Sequence, residues 1–258
     1  MSTQPAEPAE LRALRASTDR LSRLVAPLDD AQLERPAYPV AWTIADVLSH
    51  VGSGAVIGQR RLDDALVDRA TPEDFAPSVW DTWNAKSPRA KTTDALQADR
   101  ALLERIEGIG EAERDALRFS MGPMEFDFTG FVALRLNEHV LHTWDVEVAL
   151  DPSATLPPDA TALIVDQLEL IGRFTARPTG STHTITVRTT APTRRFIIEL
   201  TPDGARFGPD DGSGPADLAL PAEAMIRLVY GRLDAAHSPG VKGDETALDE
   251  LRRVFPGP

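Results

Sequence analysis

Glu138 and His142 stand one helical turn apart near the end of an apolar stretch, a spacing that stacks two side chains on one helix face. His50, far upstream in a second helix-like segment, offers another imidazole. Two imidazoles and one carboxylate form a ligand set that zinc accepts in catalytic sites, where three protein ligands leave a position open for water or substrate. Such Glu/His pairs are also common on solvated helices, so the surroundings must decide.

Those surroundings are unusual. The row Leu134, Glu138, Leu141, Asp145, Val148 steps by four, three, four and three residues, an apolar stripe with two carboxylates set into it. A buried carboxylate costs several kcal/mol unless it is paired, neutralised or bound to metal. Asp145, three residues after His142, is spaced to accept a hydrogen bond from the free imidazole nitrogen, which would fix the tautomer. It could equally contact a substrate, and the sequence leaves both roles open. His50 lies among Val47, Leu48 and Val51, with Gly52 and Gly54 following; small residues there would leave space over a metal. Taken alone, His50 reads equally well as a satisfied core histidine. His139 falls outside the stripe and is expected at the surface or in a partner contact, and His183 and His237 are expected to be solvated. The His-Glu-x-x-His pattern of zinc proteases is absent, as are the doubled Glu-x-x-His of di-iron bundles, the Gly-x-Ser-x-Gly elbow and the Walker loop.

The elements that must position these residues follow from periodicity. Leu11, Leu14, Leu21, Val25 and Leu28 form one helical stripe. After Pro36 and Pro39, Thr43 opens a second helix with Asp46 three residues on, a capping box, and the pattern continues toward Asp68. A Trp- and Pro-containing loop is expected over 71–91, a third helix from about Thr93 to Glu107, and, after a Gly122-Pro123 break, a fourth from about Thr129 to Leu150. Four such helices predict a bundle with its site built from inward side chains. Residues 151–158, DPSATLPP, hold three prolines in eight positions and suit a linker. Beyond it come a helix at about 159–174, β-branched runs at Thr182–Thr189 and Arg195–Thr201, a turn at Pro202-Asp203-Gly204 and a further strand at Ala216–Leu220. Helices at Pro221–Leu233 and Asp244–Phe255 complete this half. The expected architecture is α plus α+β: a disordered leader over 1–10, a helical bundle over 11–150, the linker, and a small α+β domain over 159–258.

Composition narrows the function. At 258 residues the chain has room for two modest domains, and 42% hydrophobic with 26% charged residues is a globular balance. A net charge of −13 argues against a nucleic-acid partner, which needs clustered positive charge. No run is long enough for a membrane span and the start lacks a signal-peptide pattern, which points to the cytoplasm. No surface patch decides between a monomer and a homodimer. Cysteine is absent altogether, which excludes disulfides, thiolate ligands and a cysteine nucleophile. Any thiol chemistry must borrow its thiol from a small molecule.

AWTIADVLSHV, followed by LRLNEHVLHTWDVEVAL, resembles the DinB-like, mycothiol-dependent maleylpyruvate isomerase family, and MIRLVYGRLD resembles the end of that family's sterol-carrier-like C-terminal domain. The resemblance covers nearly the whole chain after the first ten residues. It implies a DinB-like four-helix bundle and a divalent metal, most often zinc, on His50, Glu138 and His142. It also implies mycothiol or a similar low-molecular-weight thiol as cofactor. Asp145 would lie close to the thiol pocket. Asn84, in WDTWNAK, resembles the family's loop asparagine near the cofactor, with Arg89 supplying positive charge there. Arg232, in the YGR segment, resembles an arginine that serves the site from the C-terminal domain; a solvated cation at a helix end fits it equally. The implied chemistry is addition of the thiol to an electrophilic small molecule, by an isomerase or an S-transferase. Two other readings stand beside it: a hydrolase using metal-bound water, and a small-ligand binding protein whose metal only braces the bundle.

Overall fold

The computed structural model describes residues 7–121 and 124–257. α1 (Ala9–Val25) buries Leu11, Leu14, Leu21 and Val25, the stripe read from the sequence. It starts inside the expected leader, with Glu10 in the first turn, where a carboxylate suits the helix dipole. Residues 1–6 of that leader and the expected break at Gly122-Pro123 lie outside the described residues. The short α2 (Asp30–Leu33) is capped by Asp29 and leads to α3 (Ile44–Ala65). Thr43 caps α3 reciprocally: its hydroxyl accepts from the Asp46 amide, and the Asp46 carboxylate accepts from the Thr43 amide.

The segment expected as a loop over 71–91 instead holds α4 (Phe75–Asn84) and the start of α5 (Pro88–Glu107). The prolines explain the difference. Pro77 lies in the first turn of α4 and Pro88 opens α5, positions where the backbone N–H has no helical partner to lose. Then come α6 (Glu111–Ala116) and a hairpin of β1 (Phe119–Met121) and β2 (Met124–Phe126), none of them expected. α7 (Phe128–Leu150) follows, its first turn capped by Asp127 accepting from the Gly130 amide.

α1, α3, α5 and α7 form the four-helix bundle, α3 packing on α5 and α7, and α1 on α7 and α5. Leu21, Val25, Ile44, Val47, Leu48, Val51, Ala95 and Val146 share its core. Gly52 does not open space over a metal. A Cβ there would lie 2.3 Å from the Trp83 ring and 2.8 Å from Ala95 Cα, so glycine is what lets α3 approach α4 and α5. A Cβ at Gly54 would meet Arg135 Nη1 at 3.2 Å.

Contacts divide the chain into two compact units, Met1–Asp151 and Pro152–Pro258. In the second, α8 (Pro158–Ile164) and α9 (Leu168–Thr175), joined by a 3-10 turn, stand where one helix was expected. The strands are β3 (Thr184–Thr190), β4 (Arg195–Thr201), β5 (Gly204–Pro209) and β6 (Leu218–Pro221). α10 (Ala222–Val229), β7 (Lys242–Gly243) and α11 (Glu245–Val254) complete the unit. The sheet runs β5-β4-β3-β6-β7, parallel between β3 and β6 and antiparallel elsewhere. Alternation along β3 and β4 buries Ile185, Val187, Ile198 and Leu200 on one face. The turn read at Pro202-Asp203-Gly204 joins β4 to β5, with Gly204 at φ +136°, a conformation that other residues rarely adopt. Among the described residues no helix is long and apolar enough to cross a membrane.

Candidate metal centre

α3 presents His50, and α7 presents Glu138 and His142. Nε2 of each histidine lies 3.6 Å from Oε2 of Glu138, and the two imidazole centroids are 4.5 Å apart. One ligand atom from each of the three residues falls within 4.8 Å of the others, the one such group among the described residues. Two atoms bound tetrahedrally to one zinc at about 2.0–2.1 Å stand about 3.4 Å apart, so this donor set fits a single divalent cation with only small adjustment.

Behind His142 lies Asp145, fully buried at 0% exposure. Its Oδ2 is 2.9 Å from His142 Nδ1, a carboxylate placed to accept the Nδ1–H, and the ring so held turns Nε2 toward Glu138. Of the two roles the sequence left open, the geometry shows the hydrogen bond to His142. The backbone carbonyl of Asp145 also accepts from the Tyr38 amide at 3.2 Å, tying α7 to the loop that carries Trp42. The Trp42 ring lies 5.3 Å from the His50 ring and 6.1 Å from that of His142, stacked at 24° on the latter. This aromatic wall was not singled out as a site residue. Its sequence signal was its place immediately before the capping Thr43.

Glu138 was expected in a buried stripe, yet its side chain is 51% exposed. The reason lies in α7, which buries residues around most of its girth, from Phe131, Val132 and Ala133 to Val146 and Val148. A period therefore cannot tell one face of this helix from another. Partial desolvation pushes the Glu138 carboxyl up, but its contacts with His142 and then His50 outweigh this and hold it well below the usual carboxylate range. The same all-round burial takes in His139, which the sequence places at the surface. At 1% exposure it is a core residue, bonded to Asp99 and Ser17, and not a surface one.

Asn84 ends α4, exposed, with Oδ1 3.5 Å from the hydroxyl of Ser49, the neighbour of His50. Arg89 donates to Asp30 and to the carbonyl of Leu28, both at 2.9 Å, which commits it to the corner between α1 and α2. Arg232 belongs to the second unit. It is 4% exposed and donates to the Tyr230 carbonyl at 2.9 Å, so it is not a solvated helix-end cation. His183 and His237 are paired with Glu250 and Asp234. The structure thus brings His50, Glu138, His142 and Asp145 together, and engages Arg89 elsewhere.

Against known proteins, the model of the mycothiol maleylpyruvate isomerase N-terminal domain matches residues 14–147. A crystal structure of the mycothiol-dependent maleylpyruvate isomerase aligns with 94% of this chain and 95% of its own, with a TM-score of 0.67 and 15% identity. A histidine-to-alanine mutant of that enzyme gives the same values. At this identity the likeness establishes the fold, a four-helix bundle followed by an α+β unit. YfiT from Bacillus subtilis, with a four-helix bundle, aligns with 58% of this chain and 91% of its own at 12% identity and a TM-score of 0.44. No curated protein matches by sequence. The matched segment of the domain model is more than half of the sequence and spans every residue of the His50–Glu138–His142–Asp145 group, and on that ground the chain belongs to the mycothiol maleylpyruvate isomerase N-terminal domain family.

Proposed function

We propose that the protein is a metal-dependent enzyme that activates a low-molecular-weight thiol of the mycothiol type for addition to an electrophilic small molecule. It would act as a maleylpyruvate-type cis–trans isomerase or as a thiol S-transferase. The observation that carries this reading is the convergence of two imidazole nitrogens and one carboxylate oxygen within 4.8 Å, in a chain without cysteine. His50, Glu138 and His142 would hold the cation, and zinc suits this nitrogen and oxygen donor set. A divalent cation so held favours the thiolate form of a small thiol near neutral pH.

The chain's own residues do the rest. Asp145 keeps the His142 proton on Nδ1, so that Nε2 stays a lone-pair donor. Trp42 closes one side of the imidazole pair against water. Asn84, beside the helix that bears His50, is a proposed thiol contact; Arg89 would join it only by leaving Asp30. Arg232 or Arg89 would hold a substrate carboxylate by a bidentate contact. In the isomerase reaction the thiolate sulfur bonds to one alkene carbon and the double bond becomes single. Rotation about that bond and expulsion of the same thiolate restore the double bond as trans, with the thiol unchanged. In a transferase, protonation of the adjacent carbon releases the conjugate instead.

Metal analysis of the purified protein, followed by titration with mycothiol and other small thiols, tests this reading. A bound divalent cation and thiol binding that vanishes in Glu138→Gln and His142→Ala are expected. Turnover of esters or amides by the cation-loaded protein without any thiol would overturn it in favour of a hydrolase. A cation that raises the melting temperature while no thiol binds would reduce the site to a brace.

A further inference from the structure

Arg135, His139 and Thr143 run down α7 as one row, and Glu138 and His142 as another, one residue out of step. The two rows are therefore locked about 100° apart around the helix axis. Each polar side chain of the first row is hydrogen-bonded. Arg135 donates to Asp99 of α5 and, at 3.0 Å, to the Val51 carbonyl of α3. His139 Nε2 lies 2.9 Å from Asp99 Oδ2, and its Nδ1 lies 2.8 Å from the hydroxyl of Ser17 in α1 and 3.3 Å from that of Thr143. Directional bonds thus tie α7 to each of the other three bundle helices, within a turn of the metal-type ligands.

Most of the remaining buried surface of α7 is apolar, with Phe131, Val132, Leu136, Val140 and Leu141 among its members. Such contacts set the distance between helices and, by interdigitation, their coarse orientation, with a scatter of about 15–20° between packings. A rotation of about 15° would move an atom about 5–6 Å from the axis by about 1.5 Å. A metal site tolerates about 0.2 Å in its ligand distances. Directional bonds narrow that range: Arg20 of α1 donates to Glu147 near the C-terminal end of α7, at 2.7 Å to Oε1, and the Arg135–His139 row does so beside the ligands.

We propose that Asp99, Arg135 and His139 form an orienting clamp that sets the rotation of α7 and so holds Glu138 and His142 opposite His50. These are positioning residues; they act through the ligands and touch neither cation nor substrate. The proposal rests on reading His50, Glu138 and His142 as a cation site, and its test separates the two. Asp99→Asn and the milder Ser17→Ala are compared with the unaltered protein by Co2+ titration followed in visible absorption, and by the imidazole nitrogen resonances of His50 and His142 without metal. Ile106→Ala, a buried truncation on α5 that removes no hydrogen bond, controls for lost stability alone.

Asp99→Asn is expected to weaken Co2+ binding by about tenfold or more and to displace both imidazole signals. Ser17→Ala should do the same to a smaller degree, and Ile106→Ala neither. Unchanged affinity and signals in both polar variants, or equal changes in Ile106→Ala, would overturn the clamp. If Asp99→Asn does not fold, Ser17→Ala decides. Failure of the unaltered protein to bind Co2+ would sink the cation site itself, and the metal-free resonances would still judge the clamp.

Discussion

His142 is held from both ends, by Asp145 at Nδ1 and by Glu138 facing Nε2, and these two carboxylates do different work. Replacing Asp145 with asparagine keeps the shape and an acceptor oxygen but removes the charge that strengthens the imidazole as a donor. Cation affinity is therefore expected to fall about 10–100-fold, measured by chelator competition, while the bundle stays folded. The i, i+4 and i, i+3 relations among Glu138, His142 and Asp145 were legible because a helix converts spacing directly into proximity. The partners of His139 were not legible. Asp99 is 40 residues away in sequence and Ser17 is 122, and nothing in a periodic pattern records which distant helix will lie alongside. The exposure of Glu138 is not legible for a related reason, since a helix buried around most of its girth carries no stripe.

Helix α3 shows what capping signals reveal and what prolines conceal. The Thr43 and Asp46 pair announced its start, and the structure forms that box. Pro77 and Pro88 have the look of loop punctuation but stand in first turns, which hides α4 and the start of α5 in the sequence. Missing α4 in turn hid the purpose of Gly52, because the Trp83 ring that covers it comes from that helix. Gly52→Ala separates the two readings of this glycine. Alanine gains about 1 kcal/mol of helix propensity but must force its Cβ against a backbone atom of Ala95 as well as the ring, an overpacking cost of about 1–3 kcal/mol or more. The backbone contact cannot rotate away, so the clash wins. A lower urea midpoint is expected together with displaced Trp83 packing, whereas a glycine that merely left room for a metal would give a variant at least as stable as its parent.

All four tryptophans, Trp42, Trp80, Trp83 and Trp144, lie in the first unit, so intrinsic fluorescence follows the unfolding of the bundle within a chain of two units. That makes its acid response readable. Burial alone would raise the Asp99 carboxyl, but the charges of His139 and Arg135, with their hydrogen bonds, hold it below the usual range. A carboxyl depressed in the folded state stabilises it fully above the unfolded value of about 3.9 and loses that contribution as pH falls through the lower, folded value. Asp46 adds to the same trend: desolvation raises it, but the Lys91 ammonium and the Thr43 amide bring it below its ordinary value. Bundle stability should therefore hold from neutral pH to about pH 5 and fall below about pH 4. Removing the Asp99 charge leaves Arg135 and His139 facing an amide, which costs about 3–5 kcal/mol where a buried pair is broken. Asp99→Asn should accordingly be much less stable at pH 7 and show a shallower decline between pH 5 and pH 3, since position 99 no longer takes up a proton. Urea titrations followed by tryptophan fluorescence at those pH values check both slopes, and an acid limb as steep in the variant as in its parent would show that other carboxylates set the acid response.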